Sequence, residues 1–291
     1  MDKPIYLSVI LATYNDEKYI AKAIESILNQ TYPYFEFIIV NDGSTDETKT
    51  IIESYNDERI VLVDKPNTGL VDSLNIGIAH SKYDWIARMD GDDIADVNRF
   101  KNQVPYICKG FDLIGGGASY IDMEGKHLFT SHPTMRNKMI KFLLSFGIST
   151  IIHPAVIINK KKLLEVGGYD NHIKCAQDKD LWLMLYNSCK MINIPEIVLK
   201  YRVNASGISV SKKDRQRFYG LVAFVKFKKH IHRSLTDEEY DTISNRIVNS
   251  EQYTRLQTIY NRKSSNMFLS KILMLRELIT YYRFATKISK I

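Results

Sequence analysis

Short uncharged runs alternate with segments of helical period through the first ninety residues. Leu7–Thr13 holds seven consecutive uncharged positions and predicts a buried strand. Tyr14-Asn15-Asp16 then forms a turn. Asn15 or Asp16 can cap the next helix, in which Ile20, Ala23, Ile24, Ile27 and Leu28 recur at helical spacing. Phe35–Val40 predicts a second strand, and Ser44 and Glu47 have capping-box spacing for a helix to about Tyr55. A third strand, Ile60–Val63, leads through Pro66-Asn67-Thr68-Gly69 to a helix around Leu74–Ala79. The fourth starts at Trp85 and ends in Asp90-Gly91-Asp92-Asp93, with Gly91 allowing a sharp turn. Strand and helix alternating in this way predict right-handed crossovers and a largely parallel sheet covered on both faces.

Beyond Asp93 the pattern loosens. Gly115-Gly116-Gly117 should let a ligand or another backbone approach closely, and Ser119–Thr130 reads as a hairpin turning at Met123–Lys126. A helix from about Met135 to Phe146, a strand at His153–Ile158, a short helix at Lys160–Val166 and a tight exit at Gly167–Asp170 follow. Asp178 begins a helix with Leu181, Trp182 and Leu185 on its apolar face; either Asp178 or Asp180 suits an N-cap, and Asp180 suits a structural role. Ile197–Val203 is a strand containing Tyr201-Arg202, where Arg202 is a solvated charge or a planar fork for phosphate.

Composition bounds the function. The chain has 291 residues, 45% of them hydrophobic, enough for a sizeable core. Its three cysteines are too few and too scattered for a disulfide framework or a zinc cluster, which fits a reducing, cytoplasmic setting. No apolar stretch is long enough to span a bilayer, and no leader pattern precedes the first strand. The net charge of +7 is unevenly placed: 23 Lys and Arg face 26 Asp and Glu in residues 1–210, against 17 and 7 in residues 211–291. That tail carries an apolar face at Phe218, Leu221, Val222 and Val225, then the basic run Lys226, Lys228, Lys229, His230, His232 and Arg233. Thr236 and Glu239 fit a capping box, and Phe268, Ile272, Leu275, Ile279 and Tyr282 line a basic amphipathic helix. Such a helix either packs on the rest of the protein or adsorbs to an anionic membrane surface.

The candidate chemistry lies at the strand ends. Three carboxylates within four residues repel one another unless a cation sits among them, and hard oxygen ligands suit Mg²⁺ or Mn²⁺. A solvated acidic turn accounts for the same residues, so the cluster alone leaves both readings open. Ligands of open α/β sheets bind at carboxyl ends of strands, which here carry Thr13-Tyr14-Asn15, Asn41-Asp42-Gly43, Asn67 and the acidic trio. No glycine-rich phosphate fingerprint follows the first strand, which argues against a dinucleotide fold or a P-loop. Amide and carboxylate groups along that edge can hold a nucleoside.

In this order and at these spacings, the landmarks Ser8–Asn15, Val40–Ser44, Asn67-Thr68-Gly69 with Asn75, Arg88–Asp93 with Arg99 and Gln103, His153-Pro154, Gly167–Asp170, Gln177–Trp182 and Tyr201-Arg202 give the chain its likeness. From about Leu7 to Ser209 it resembles the family 2 glycosyltransferases. The resemblance implies an α/β GT-A fold, a Rossmann-like α/β/α sandwich with a mostly parallel central sheet, over residues 1–210; residues 211–291 match no family motif and read from their own pattern as a basic, mainly helical region. It implies that Thr13, Tyr14, Asn15, Asp42, Asn67 and Asp90 bind the nucleotide, that Asp92 holds a divalent Mn²⁺ or Mg²⁺, and that Asp93 faces the donor sugar. Asp178 corresponds to the catalytic base and Arg202 to a phosphate contact. The implied reaction is a single in-line displacement from a nucleotide-diphosphate sugar, UDP by family habit, to a hydroxyl of a glycan acceptor carried on a polyprenyl diphosphate lipid. That places the protein on the inner face of the cytoplasmic membrane. Two positions depart from the family pattern: Gln177 stands where Glu is frequent, and Asn204 where His is frequent. An inactive nucleotide-sugar-binding scaffold and a nucleotidyltransferase are the rival readings, though the latter wants a basic, glycine-rich loop after the first strand. Nucleic acid is not an expected partner, since the basic residues come with no reading motif.

Overall fold

The computed structural model describes residues 3–133, 135–203 and 213–250. In chain order the elements are β1 Leu7–Thr13, α1 Ile20–Leu28, β2 Phe35–Asp42, α2 Thr48–Glu53, β3 Ile60–Lys65, α3 Leu70–His80 and β4 Trp85–Asp90. There follow β5 Ile94–Ala95, α4 Arg99–Cys108, β6 Leu113–Ile121, β7 His127–Ser131, β8 Met135–Arg136, α5 Asn137–Leu144, a 3₁₀ turn at His153–Ala155, β9 Ile157–Asn159 and α6 Lys160–Glu165. The described chain closes with α7 Gln177–Met184, β10 Met191–Arg202, α8 Lys213–Lys228 and α9 Asp237–Val248.

These strands form one sheet ordered β3-β2-β1-β4-β9-β6-β10-β5, with β7 beside β6 and β8 beside β10. The parallel expectation holds for β3, β2, β1 and β4. From β9 onward the sheet is mixed, because β9 runs antiparallel to both β4 and β6, whereas β6 and β10 pair in parallel. Burial on both faces explains the uncharged run of β1. Leu7, Val9 and Leu11 pack with Ile20, Ala23, Ile24 and Ile27 of α1, while Ile10 and Ala12 pack with Val71, Leu74 and Ile78 of α3. Ser8 is buried as well, donating to Glu36 Oε1 at 2.6 Å.

Several local expectations change in three dimensions. The strand expected from His153 begins as a 3₁₀ turn, with Pro154 at its start. Neither Asn15 nor Asp16 caps α1, and the Ser44–Glu47 box does not form. Ser44 instead donates to Asn41 Oδ1 at 2.6 Å and accepts from the Asn15 N–H at 3.0 Å, so contacts between loops displace the local cap. The Thr236–Glu239 box does form, in both directions. Gly115, Gly116 and Gly117 make room for protein: added Cβ atoms would lie 2.2 Å from Asn193 Oδ1, 2.7 Å from Val198 and 2.7 Å from Ile197. The run is thus a seam between β6 and β10 and not the wall of a ligand pocket.

The basic run also divides. Leu221 to Val225 of α8 are all buried, and Lys226, only 1% exposed, lies 2.8 Å from Asp170 Oδ2 and 2.9 Å from Asp180 Oδ2. This lysine belongs to the core, which corrects its place in a solvent-facing basic surface and gives Asp180 its structural role. The amphipathic helix expected at 268–290 lies outside the described residues.

Candidate active site

The strand order brings the ends of β2, β1 and β4 side by side, with Thr13 opposite Asn41 and Ala12 opposite Asp90. Thr13 donates to Asp16 Oδ2 at 2.7 Å, and that carboxylate lies directly over Gly91. A Cβ on Gly91 would stand 2.5 Å from Asp16 Oδ2 and 3.0 Å from Thr13 Oγ1. Glycine is therefore required here by close approach, since its backbone is not left-handed.

Asn15 does adopt the left-handed region, at φ 56°, and ties two loops together. Its side-chain oxygen accepts from the Thr45 N–H at 2.8 Å, while its amide donates to Thr45 Oγ1 at 3.3 Å. Asp42 is buried and likewise engaged: Oδ1 accepts from the Thr68 N–H at 2.9 Å and from the Lys65 ammonium, and Oδ2 from the Gly69 N–H at 3.0 Å. These residues shape the edge. Tyr14, 47% exposed, and Asn67, also exposed, present open surface along it.

At the end of β4 the acidic trio converges, with one oxygen from each of Asp90, Asp92 and Asp93 within 4.8 Å of the others. Beneath it lies Arg88, buried, paired through Nη2 with Asp90, with no hydrogen-bond partner for Nε or Nη1 among the described residues. Asp93 is 1% exposed; its Oδ1 accepts from the Arg202 N–H at 2.7 Å, and its buried Oδ2 has no partner among the described residues. Burial, then the charges of Asp90 and Asp16, push Asp92 up to about 7. Burial, then Asp90 and Asp92, hold Asp93 well above the usual carboxylate range, and burial raises Asp16. Negative charge thus exceeds what one guanidinium balances. Hard oxygen donors, an orphaned buried oxygen and this excess fit a divalent cation such as Mg²⁺ or Mn²⁺.

Asp178 sits in the first turn of α7, one position inside the helix, because the preceding cap residue Ala176 is left-handed at φ 57°. The residue is half-buried, yet its carboxyl is desolvated enough for burial to raise it, against the Lys179 N–H and the charge of Arg88. The charge of Arg88 thus acts on Asp92, Asp93 and Asp178 alike. On the same side His153 Nε2 stands 2.7 Å from the Tyr169 hydroxyl and its ring meets Trp182 edge-on, burial holding the imidazole neutral. Asn75 clasps the Tyr169 main chain through two 2.9 Å hydrogen bonds. A Cβ on Gly168 would come within 2.7 Å of the Asn75 amide.

Arg202 is directed to main-chain carbonyls. Nε donates to Asp92 O at 2.8 Å, and Nη1 donates to Asp122 O and Met123 O at 2.8 and 3.0 Å, with Tyr19 stacked beneath at 4.5 Å. It clamps the acidic loop to the β6–β7 turn. Arg99 does similar work deeper in, donating to Arg88 O at 2.7 Å and Val156 O at 3.3 Å, with burial pushing its guanidinium down to about 9. Residue spacing alone gives no sign of Asp16 at this site, where it reads as a helix cap, and assigns Arg88 no role.

Comparison with known proteins follows the same outline. Residues 8–167 match the family described as Glycosyl transferase family 2. A glycosyltransferase of Methanocaldococcus jannaschii is 36% identical over 244 residues, 79% of this chain and 82% of that protein. The O-antigen biosynthesis glycosyltransferase WbnJ of Escherichia coli is 32% identical over 209 residues, covering 68% of this chain and 80% of that one. Among solved structures, S. aureus TarS 1-349 superposes with a TM-score of 0.62 at 19% identity, over 96% of this chain and 81% of its own. The Pyrobaculum calidifontis mannosyltransferase PcManGT, in complex with GDP-Man and Mn²⁺, gives a TM-score of 0.55 at 17% identity, over 98% and 84%. The fold is GT-A. With sequence, fold and an acidic strand end agreeing, the chain belongs to glycosyltransferase family 2.

Proposed function

We propose that this glycosyltransferase moves a hexose-type sugar from a nucleotide-diphosphate donor, a UDP-sugar, to a hydroxyl of a lipid-linked glycan used in surface polysaccharide synthesis. The observation that carries the reading is the excess of carboxylate over cation at the end of β4, where a divalent cation would offset the charge and at the same time offer the diphosphate a partner. TarS structures in complex with UDP and with UDP-GlcNAc support a uridine donor, and the O-antigen relative supports a surface glycan.

Each residue then has a task. Thr13, Tyr14, Asn15, Asp42 and Asn67 form the nucleoside edge, Tyr14 and Asn67 offering surface and Asn15 and Asp42 fixing the loops. Asp90 reaches the ribose, Asp92 holds the cation, and Asp93 faces the donor sugar. A divalent ion bound there supplies charge stabilisation to the departing diphosphate. Asp178 takes the proton from the acceptor hydroxyl as that oxygen attacks the anomeric carbon, and its raised affinity for protons suits a base. Attack opposite the leaving group inverts the centre, so an α-linked donor yields a β-glycoside. Arg202 acts on the phosphates by holding the acidic loop in register. Residues 1–210 form the catalytic unit, and the basic 211–291 region keeps the enzyme at the inner face of the cytoplasmic membrane.

The test is release of nucleoside diphosphate from a panel of nucleotide sugars with Mn²⁺, Mg²⁺ or EDTA, for wild type, Asp92→Ala and Asp178→Asn. Release from one donor, dependent on metal, lost in Asp92→Ala and strongly reduced in Asp178→Asn, supports the reading and names the sugar. Gln177, where family members often have Glu, favours the inactive scaffold as second reading. Metal-dependent nucleotide binding with no turnover, even with a lipid-diphosphate acceptor, would establish that alternative.

A further inference from the structure

Residues 125–164 contain no Asp or Glu and seven Lys or Arg. Within this stretch α5 buries one side completely, Ile140 and Leu144 both being 0% exposed. On the opposite side of the helix, Met139 is 51% and Phe142 57% exposed. The Phe142 ring meets Phe146 edge-on at 5.1 Å, so the apolar surface extends past the helix end. Arg136 and Lys138, both exposed, flank this ridge, and neither forms an ion pair among the described residues. Lys141 is turned away, over the Tyr186 ring.

A lone exposed apolar side chain needs no explanation, but adjacent ones on a helix edged by cations are the pattern of interfacial helices. Charge decides the occupant. The two exposed cations beside the ridge, Arg136 and Lys138, in a forty-residue stretch of chain without an acidic residue, complement lipid phosphates and offer nothing to the cations of an ordinary protein partner. We propose that α5 docks on an anionic lipid bilayer, Met139 and Phe142 entering the boundary between headgroups and acyl chains while Arg136 and Lys138 lie among the phosphates. This deepens the reading of a lipid-linked acceptor by naming a face that meets the membrane, separate from the basic tail.

The experiment is cosedimentation of the full chain with vesicles of equal parts phosphatidylglycerol and phosphatidylcholine, against phosphatidylcholine alone. Wild type is compared with Met139→Gln/Phe142→Gln and with Arg136→Gln/Lys138→Gln. All three keep the charges of residues 211–291, so a difference reports α5. Each double variant should bind the anionic vesicles about tenfold or more weakly, with unchanged melting temperature. Donor turnover in solution should also be unchanged, because these residues lie outside the proposed site. Variants that bind as wild type does would overturn the proposal, as would a wild-type dimer that Met139→Gln/Phe142→Gln converts to monomer, which would make the ridge a contact between copies. Donor turnover is measured without lipid, so failure of the transferase reading and failure of the docking face appear in different assays.

Discussion

Two groups of carboxylates in this chain, one buried and one only partly so, are built on different terms. Asp170 and Asp180 share the ammonium of Lys226 at 2.8 and 2.9 Å, and Asp170 also accepts from the Leu235 and His172 main chains. The group is closed around that cation, with one oxygen, Asp180 Oδ1, left without a partner among the described residues. Asp16, Asp90, Asp92 and Asp93 instead gather above a single guanidinium that reaches Asp90, and among the described residues an Asp93 oxygen and two Arg88 nitrogens have no partner. Burying charge without compensation costs several kcal/mol in either setting, so a fold keeps such a shortfall where something else completes it. The closed group holds α7 to α8, and the open one marks the site.

Replacing charges one at a time would break or sharpen this contrast. The largest effect is expected at the site itself: Asp178→Asn should lower transfer about 10²–10⁴-fold while leaving nucleotide binding intact, read by diphosphate release and by nucleotide titration. Asp92→Asn should take metal-dependent turnover to background and yet raise the melting temperature of the metal-free protein, because it removes one repelling charge. A fall in melting temperature would show that the cluster is balanced after all.

The closed group should behave in the opposite way. Lys226→Met is expected to destabilise the fold by about 3–5 kcal/mol in urea titrations, since it strands two carboxylates in the core. Adding Asp180→Asn to that variant should recover part of the loss, with a coupling of about 0.5–3 kcal/mol in the double-mutant cycle. If the two changes simply add, the ion pair contributes nothing. The smallest effect is in pH. Burial holds Asp180 up at about 6, so its contribution to stability is full below the ordinary carboxylate range and lost as pH rises through about 6. Asp180→Asn should therefore gain on wild type between pH 4 and pH 7, measured by denaturant midpoints; a constant difference across that window would argue against it.

Much of the architecture was legible along the chain because it rests on local rules. Strand β1 had to be buried on both faces once seven uncharged residues stood in a row, and α1 followed from its four-residue rhythm. Periodicity carries no information about pairing across the sheet. It could not show that β9 would reverse direction between β4 and β6, or that the glycines of β6 would accommodate Asn193 and Val198. Capping shows the same limit: Thr236 and Glu239 meet each other in an isolated turn, whereas Ser44 is drawn off by Asn15 and Asn41 from neighbouring loops.

Residue type and spacing are local facts, so the chain alone places acidic groups at a strand end and a further aspartate at the opening of a later helix. What those charges meet follows from the fold. It set Asp16 over Gly91, let the charge of Arg88 act on both the trio and Asp178, and drew Lys226 out of a basic run into the core. The reason is physical: an ionisable group is governed by its burial and by the charges within a few ångströms, and both depend on segments that are distant along the chain.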